Sequence, residues 1–75
     1  MGEQRLLVVG VGSELGSLAT ALLEQHEQFA DVHGIDVHPP RRRLRRTTFH
    51  RVEHDEPGEF ARKIASLQPD VIVHL

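Results

Sequence analysis

Leu6-Leu7-Val8-Val9-Gly10-Val11-Gly12-Ser13-Glu14-Leu15-Gly16 passes from four apolar residues through a glycine turn. It leads at once into Ser17-Leu18-Ala19-Thr20-Ala21-Leu22-Leu23. The apolar run predicts a strand over Arg5 to Val9. Its hydrophobic positions are consecutive, not alternating, as in a parallel sheet covered on both faces. The residues after the turn predict a helix from Glu14 to about Gln28. Leu15, Leu18, Leu22 and His26 fall at helical spacing on its expected apolar side, with Ala19 and Leu23 widening the stripe.

A chain that leaves a buried strand and turns directly into a helix needs φ values that only glycine reaches cheaply. The first helical turn carries unpaired N–H groups and the positive end of the helix dipole, so it attracts a phosphate. In this reading Gly10 makes the turn and Gly12 lets a cofactor backbone approach. Gly16 lets the helix sit close to the strand. Ser13 caps the helix and is placed to meet a phosphate oxygen. Glu14 and Leu15 act through their backbone N–H groups. Asp36 closes a second short apolar run twenty positions beyond Gly16. A carboxylate there can accept both hydroxyls of a ribose and repels a 2′-phosphate, which favours NAD over NADP. The bland alternative is that the glycines only make a strand–helix turn and Asp36 only a bend before the prolines.

The remaining elements follow from punctuation. Asp31 to Asp36 predicts a second strand, which Pro39-Pro40 ends. Thr47 to Val52 is β-branched enough for a third strand. His54-Asp55-Glu56-Pro57-Gly58 is a turn. A second helix runs from Pro57 or Glu59 to about Leu67, with Phe60, Ile64 and Leu67 on one face, and Pro69 stops it. Asp70 to Leu75 is a fourth apolar strand. The order predicts an α/β fold: a Rossmann-type parallel sheet of about four strands in order 3-2-1-4 with two helices, half of a doubly wound sheet. The last strand would sit at an open edge, which invites self-association and gives the chain the look of a truncated domain.

With 75 residues and no cysteine, the chain makes at most one small domain, without disulfide or thiolate–metal support. A net charge of −2 gives no reason to expect nucleic acid or an anionic membrane as partner. No apolar run reaches the roughly 20 residues of a membrane span, and the start reads as no signal peptide, so a cytoplasmic protein is expected. Arg41-Arg42-Arg43-Leu44-Arg45-Arg46 has three readings: a solvated loop, a clamp near the adenosine end of a cofactor, or a nucleic-acid patch. The last lacks interleaved aromatic residues for base stacking. Six histidines raise a metal site, but His50 and His54 near a strand end make no metal-ligand pattern.

These residues resemble the N-terminal part of the extended short-chain dehydrogenase/reductases, the NAD-dependent epimerase/dehydratase group. Gly10 and Gly16 match the ends of that family's glycine-x-x-glycine-x-x-glycine loop. Ser13 stands at the middle glycine, and Gly12 is an additional glycine one position earlier. The closing Gln68-Pro69-Asp70-Val71-Ile72-Val73-His74-Leu75 is similar to the family's fourth strand. The resemblance implies that Asp36 binds the adenosine ribose, that Asp55 lies beside the adenine ring, and that a parent enzyme acts on nucleotide sugars. It implies catalysis by a Tyr-x-x-x-Lys pair. This chain has no tyrosine, and its only lysine is Lys63, so none of its own residues is expected to be catalytic. The rival is a non-catalytic nucleotide-sensing module, whose opening is alike but whose fourth strand differs.

Overall fold

The computed structural model describes residues 4–53 and 57–75. The order is β1 (Gln4–Val9), α1 (Glu14–Leu23), β2 (Phe29–Asp36), β3 (Thr47–Arg51), α2 (Pro57–Leu67) and β4 (Val71–His74). The strands form one sheet in the order β3-β2-β1-β4, and every pairing is parallel. This is the expected α/β, Rossmann-like arrangement. Asp55 and His54 lie outside the described residues.

The sheet is covered on both sides, which is why β1 is continuously apolar. Leu6, Val8 and Val32 face one layer with Val11, Phe29 and Leu23 of α1. Leu7 and Ile35 face the other, against Phe60, Ile64 and Leu67 of α2. Leu6, Leu7 and Val8 are all fully buried. At about 25 cal/mol per Å² of apolar surface, these central side chains contribute roughly 2 kcal/mol each.

Helix α1 departs from expectation in two ways. Its leucine stripe faces solvent: Leu15 is 65%, Leu18 39% and Leu22 58% exposed. The side against the sheet carries Gly16, Ser17 and Thr20. Small residues let the helix lie close, and their hydroxyls need no outside partner. Ser17 Oγ donates to the Val11 carbonyl at 2.7 Å, and Thr20 Oγ1 to the Gly16 carbonyl at 2.7 Å. A Cβ at Gly16 would lie 2.0 Å from the Gly10 carbonyl oxygen, a distance no side chain tolerates.

The helix also ends at Leu23, not near Gln28. The Gln25 and His26 amides donate to Leu22 and Leu23, tightening the last turn, and Phe29 N–H donates back to His26. The chain reverses there, so β2 starts at Phe29, before the expected Asp31. His26 is exposed beyond the helix.

Segment 37–46 runs from the end of β2 past α1 to β3 and is strapped to that helix. The Arg41 amide donates to Ser17 Oγ at 2.8 Å. The Arg45 and Arg46 amides donate to the two oxygens of Glu24, at 2.8 and 3.0 Å, and Thr47 Oγ1 donates to the same carboxylate at 2.7 Å. Glu24 is 5% exposed. Burial raises its pKa, but the Arg45 amide, the Thr47 hydroxyl and the Arg46 amide together outweigh it and hold the carboxyl below its ordinary value.

Candidate functional site

The glycine turn is built as its residues dictate. Gly10 has φ of 100°, a conformation that costs glycine nothing and other residues much. Ser13 is the N-cap of α1: its backbone is extended and its Oγ accepts the Gly16 amide at 2.9 Å. The Ser13 hydroxyl in turn donates to the Gly10 carbonyl at 3.1 Å. The cap satisfies one of the orphan donors of the first helical turn. Two more, the amides of Glu14 and Leu15, have no partner among the described residues. The Glu14 side chain is held by Arg42, at 2.9 Å, so what Glu14 offers at the helix mouth is its N–H. A pair of free amides at the positive end of a helix can receive an anion.

Asp36 lies at this mouth and is bonded to the loop. Its Oδ2 accepts the Gly12 amide at 2.8 Å, and its Oδ1 accepts the Val37 amide at 2.6 Å. The acid that ends β2 thus fixes the turn that ends β1. Oδ1 also accepts the His38 amide at 3.4 Å, so of the four acceptor positions of the carboxylate one, on Oδ2, is left for a further donor. The contact also gives Gly12 a second reason to be glycine. A Cβ there would lie 2.3 Å from the His38 carbonyl oxygen and 2.8 Å from Asp36 Oδ2. The chain's own β2 exit fills the space beside Gly12.

Gly10, Gly12, Ser13, Glu14, Leu15, Gly16 and Asp36 are therefore gathered at the carboxyl ends of β1 and β2, where ligands bind in open parallel sheets. A family model for the NAD dependent epimerase/dehydratase family matches residues 6–75. The chain belongs to the NAD-dependent epimerase/dehydratase family. Comparison with curated proteins and with solved structures found no match. The epimerase/dehydratase family is NAD(P)-dependent, and the free amides, the cap and the acid lie together at this mouth.

Sequence reasoning missed two parts of this epimerase/dehydratase unit. Arg41 Nε donates to the Gly12 carbonyl at 3.3 Å, so the first residue of the arginine block buttresses the glycine loop. Glu24 anchors the other end of the same strap. Neither is visible as a local pattern, because the partners lie more than twenty residues away. No helix of the described residues is long and apolar enough to cross a membrane, and no metal-ligating cluster occurs among them.

His50 belongs to a separate line of polar side chains on the α2 side of the sheet. His33 Nδ1 and His50 Nε2 are 2.8 Å apart, with the rings stacked at 5.0 Å between centroids. His33 Nε2 lies 2.9 Å from Asp31 Oδ1, an ion-pair distance without hydrogen-bond alignment, and Asp31 Oδ2 accepts Arg5 Nε at 2.6 Å. Burial lowers the His50 pKa, helped by the neighbouring His33 and Lys63 and opposed by Asp31. The His33 contact, more than that of Arg5, holds the Asp31 carboxyl below its usual value against the opposing effect of burial.

Proposed function

We propose that this chain is the N-terminal half of an NAD-binding Rossmann domain from a nucleotide-sugar epimerase/dehydratase-like oxidoreductase, and that it holds the adenosine and pyrophosphate of the cofactor. One observation carries the reading: two unpartnered amides, Glu14 and Leu15, stand at a serine-capped helix mouth beside an acid bonded into the same loop. The amides bind the pyrophosphate, and Ser13 is placed at its edge. Asp36, kept at the mouth by Gly12, takes the ribose through the acceptor position left on Oδ2 and disfavours a 2′-phosphate. Asp55 is assigned to the adenine side by the family resemblance. When bound, the nicotinamide would supply hydride transfer, while these residues would hold the adenosine and pyrophosphate end of the cofactor. The chain contains no tyrosine, so the acid/base step at a sugar carbon belongs to none of its residues.

Calorimetric titration with NAD, NADP, ATP and AMP tests this. Binding of NAD ahead of the other three supports it. A preference for ATP or AMP supports a nucleotide-sensing module in its place, and no heat with any of the four contradicts both.

A further inference from the structure

The solvent side of α1 is the least expected surface of the molecule. Leu15, Leu18 and Leu22 lie within one third of the helix circumference, opposite Gly16, Ser17 and Thr20. Leucine favours a helix wherever it stands, but burial gives no reason for it at an exposed position, and three on one face make a ridge. Along one flank of this ridge runs the arginine strap. Its backbone is fixed to the helix at Ser17 and Glu24, so its side chains are presented from a held segment and not from a free loop. Arg41, Arg42 and Arg46 are engaged with Gly12, Glu14 and Phe29. Arg43 and Arg45 are exposed, with no side-chain partner among the described residues. They border a groove whose other wall is Ala21 of α1 and Gln25 just beyond its end. The one carboxylate in that groove, Glu24, already accepts three hydrogen bonds.

We infer that this ridge and groove form a docking surface for an acidic amphipathic helix of a partner protein. An apolar stripe at helical spacing meets Leu18 and Leu22, and Asp or Glu beside that stripe meets the guanidinium groups of Arg43 and Arg45. Arginine favours such carboxylate pairs through its planar fork of donors. Charge complementarity selects the partner: the surface is cationic although the chain as a whole is −2. Nucleic acid fits less well, because the ridge offers leucines and no aromatic face for stacking. A flat anionic membrane fits less well, because the arginines line a groove beside the ridge. The residues that meet the partner, Leu18, Leu22, Arg43 and Arg45, do not include those whose amides form the helix mouth, so the surface stands whether or not a dinucleotide binds there.

The test is fluorescence anisotropy with a labelled peptide of about four helical turns, carrying leucine at i, i+3 and i+7 and glutamate beside them. A counterpart with lysine in place of glutamate, phosphatidylcholine–phosphatidylserine vesicles and a single-stranded RNA are the comparisons. The glutamate peptide is expected to bind at least about tenfold more tightly than the lysine peptide, and less tightly as salt is raised. The double variants R43E/R45E and L18S/L22S should each weaken it by about tenfold or more, with circular dichroism unchanged, since all four side chains are solvent-facing or nearly so. Equal binding of the two peptides, binding by L18S/L22S as by wild type, capture by vesicles or RNA alone, or no binding at all would overturn the inference.

Discussion

The Asp36 carboxylate accepts the Gly12 amide at 2.8 Å, so the end of β2 holds the turn that leaves β1. Two features that are read as independent halves of a nucleotide signature are thus one hydrogen-bonded unit before any ligand arrives. Asp36→Ala is accordingly expected to act twice. A charge-assisted hydrogen bond is removed from the loop, costing about 1.5–3 kcal/mol in urea denaturation. NAD affinity falls more than NADP affinity, because the acid no longer repels a 2′-phosphate. An equal loss for both cofactors would remove the ribose role and leave only the latch.

Gly16→Ala is expected to be among the most damaging single-methyl additions. The new Cβ meets backbone, the Gly10 carbonyl at 2.0 Å, and cannot be relieved by a side-chain rotation. The expected loss is about 3 kcal/mol or more, read as a lowered melting temperature. An unchanged melting temperature would mean that α1 lies farther from the turn.

Glu24 ties the arginine strap to the end of α1. Glu24→Ala leaves the Arg45 and Arg46 amides and the Thr47 hydroxyl without their acceptor, at an expected cost of about 3 kcal/mol. Its folded pKa is lowered from 4.5, so its contribution is present above that value and is lost as pH falls through the lower folded value. Acid titration of wild type and Glu24→Gln by circular dichroism should show the wild type losing its advantage in that acidic window.

His50 gives a separate pH dependence at milder acidity. Its folded pKa is lowered from 6.5, chiefly by burial, so the neutral ring is favoured by the fold. Stability is present above 6.5 and is lost as pH falls through the lower folded value, when a charge would have to form on the half-buried ring beside His33 and Lys63. His50→Gln should flatten the change in melting temperature across this window. A wild-type curve that is already flat would contradict the pairing.

Much of the architecture is legible in local sequence, and the misreadings share one cause. Leu6 to Val9, the glycine turn and the closing Val71-Ile72-Val73 give strand positions and a parallel sheet, because an apolar run can only be buried on both sides. The orientation of α1 is hidden because hydropathy favours leucine for the inside. In this helix close approach decides: Gly16 meets the Gly10 carbonyl, and Ser17 and Thr20 satisfy their hydroxyls on nearby carbonyls. The small-residue column Gly16–Thr20 was the available signal. In the site, Gly10 and Ser13 are readable because their roles are set by neighbours three to six residues away. Glu24 and Arg41 are not, because each acts on a segment brought to it only by the fold.

The most direct measurement follows amide proton–nitrogen correlation spectra of the labelled protein as NAD is added. The account predicts that the Glu14 and Leu15 amide signals shift most, with Gly12 and Ser13 following and the α2 face unmoved. Saturating NAD that leaves the Glu14 and Leu15 signals in place, or moves only residues elsewhere, would contradict it.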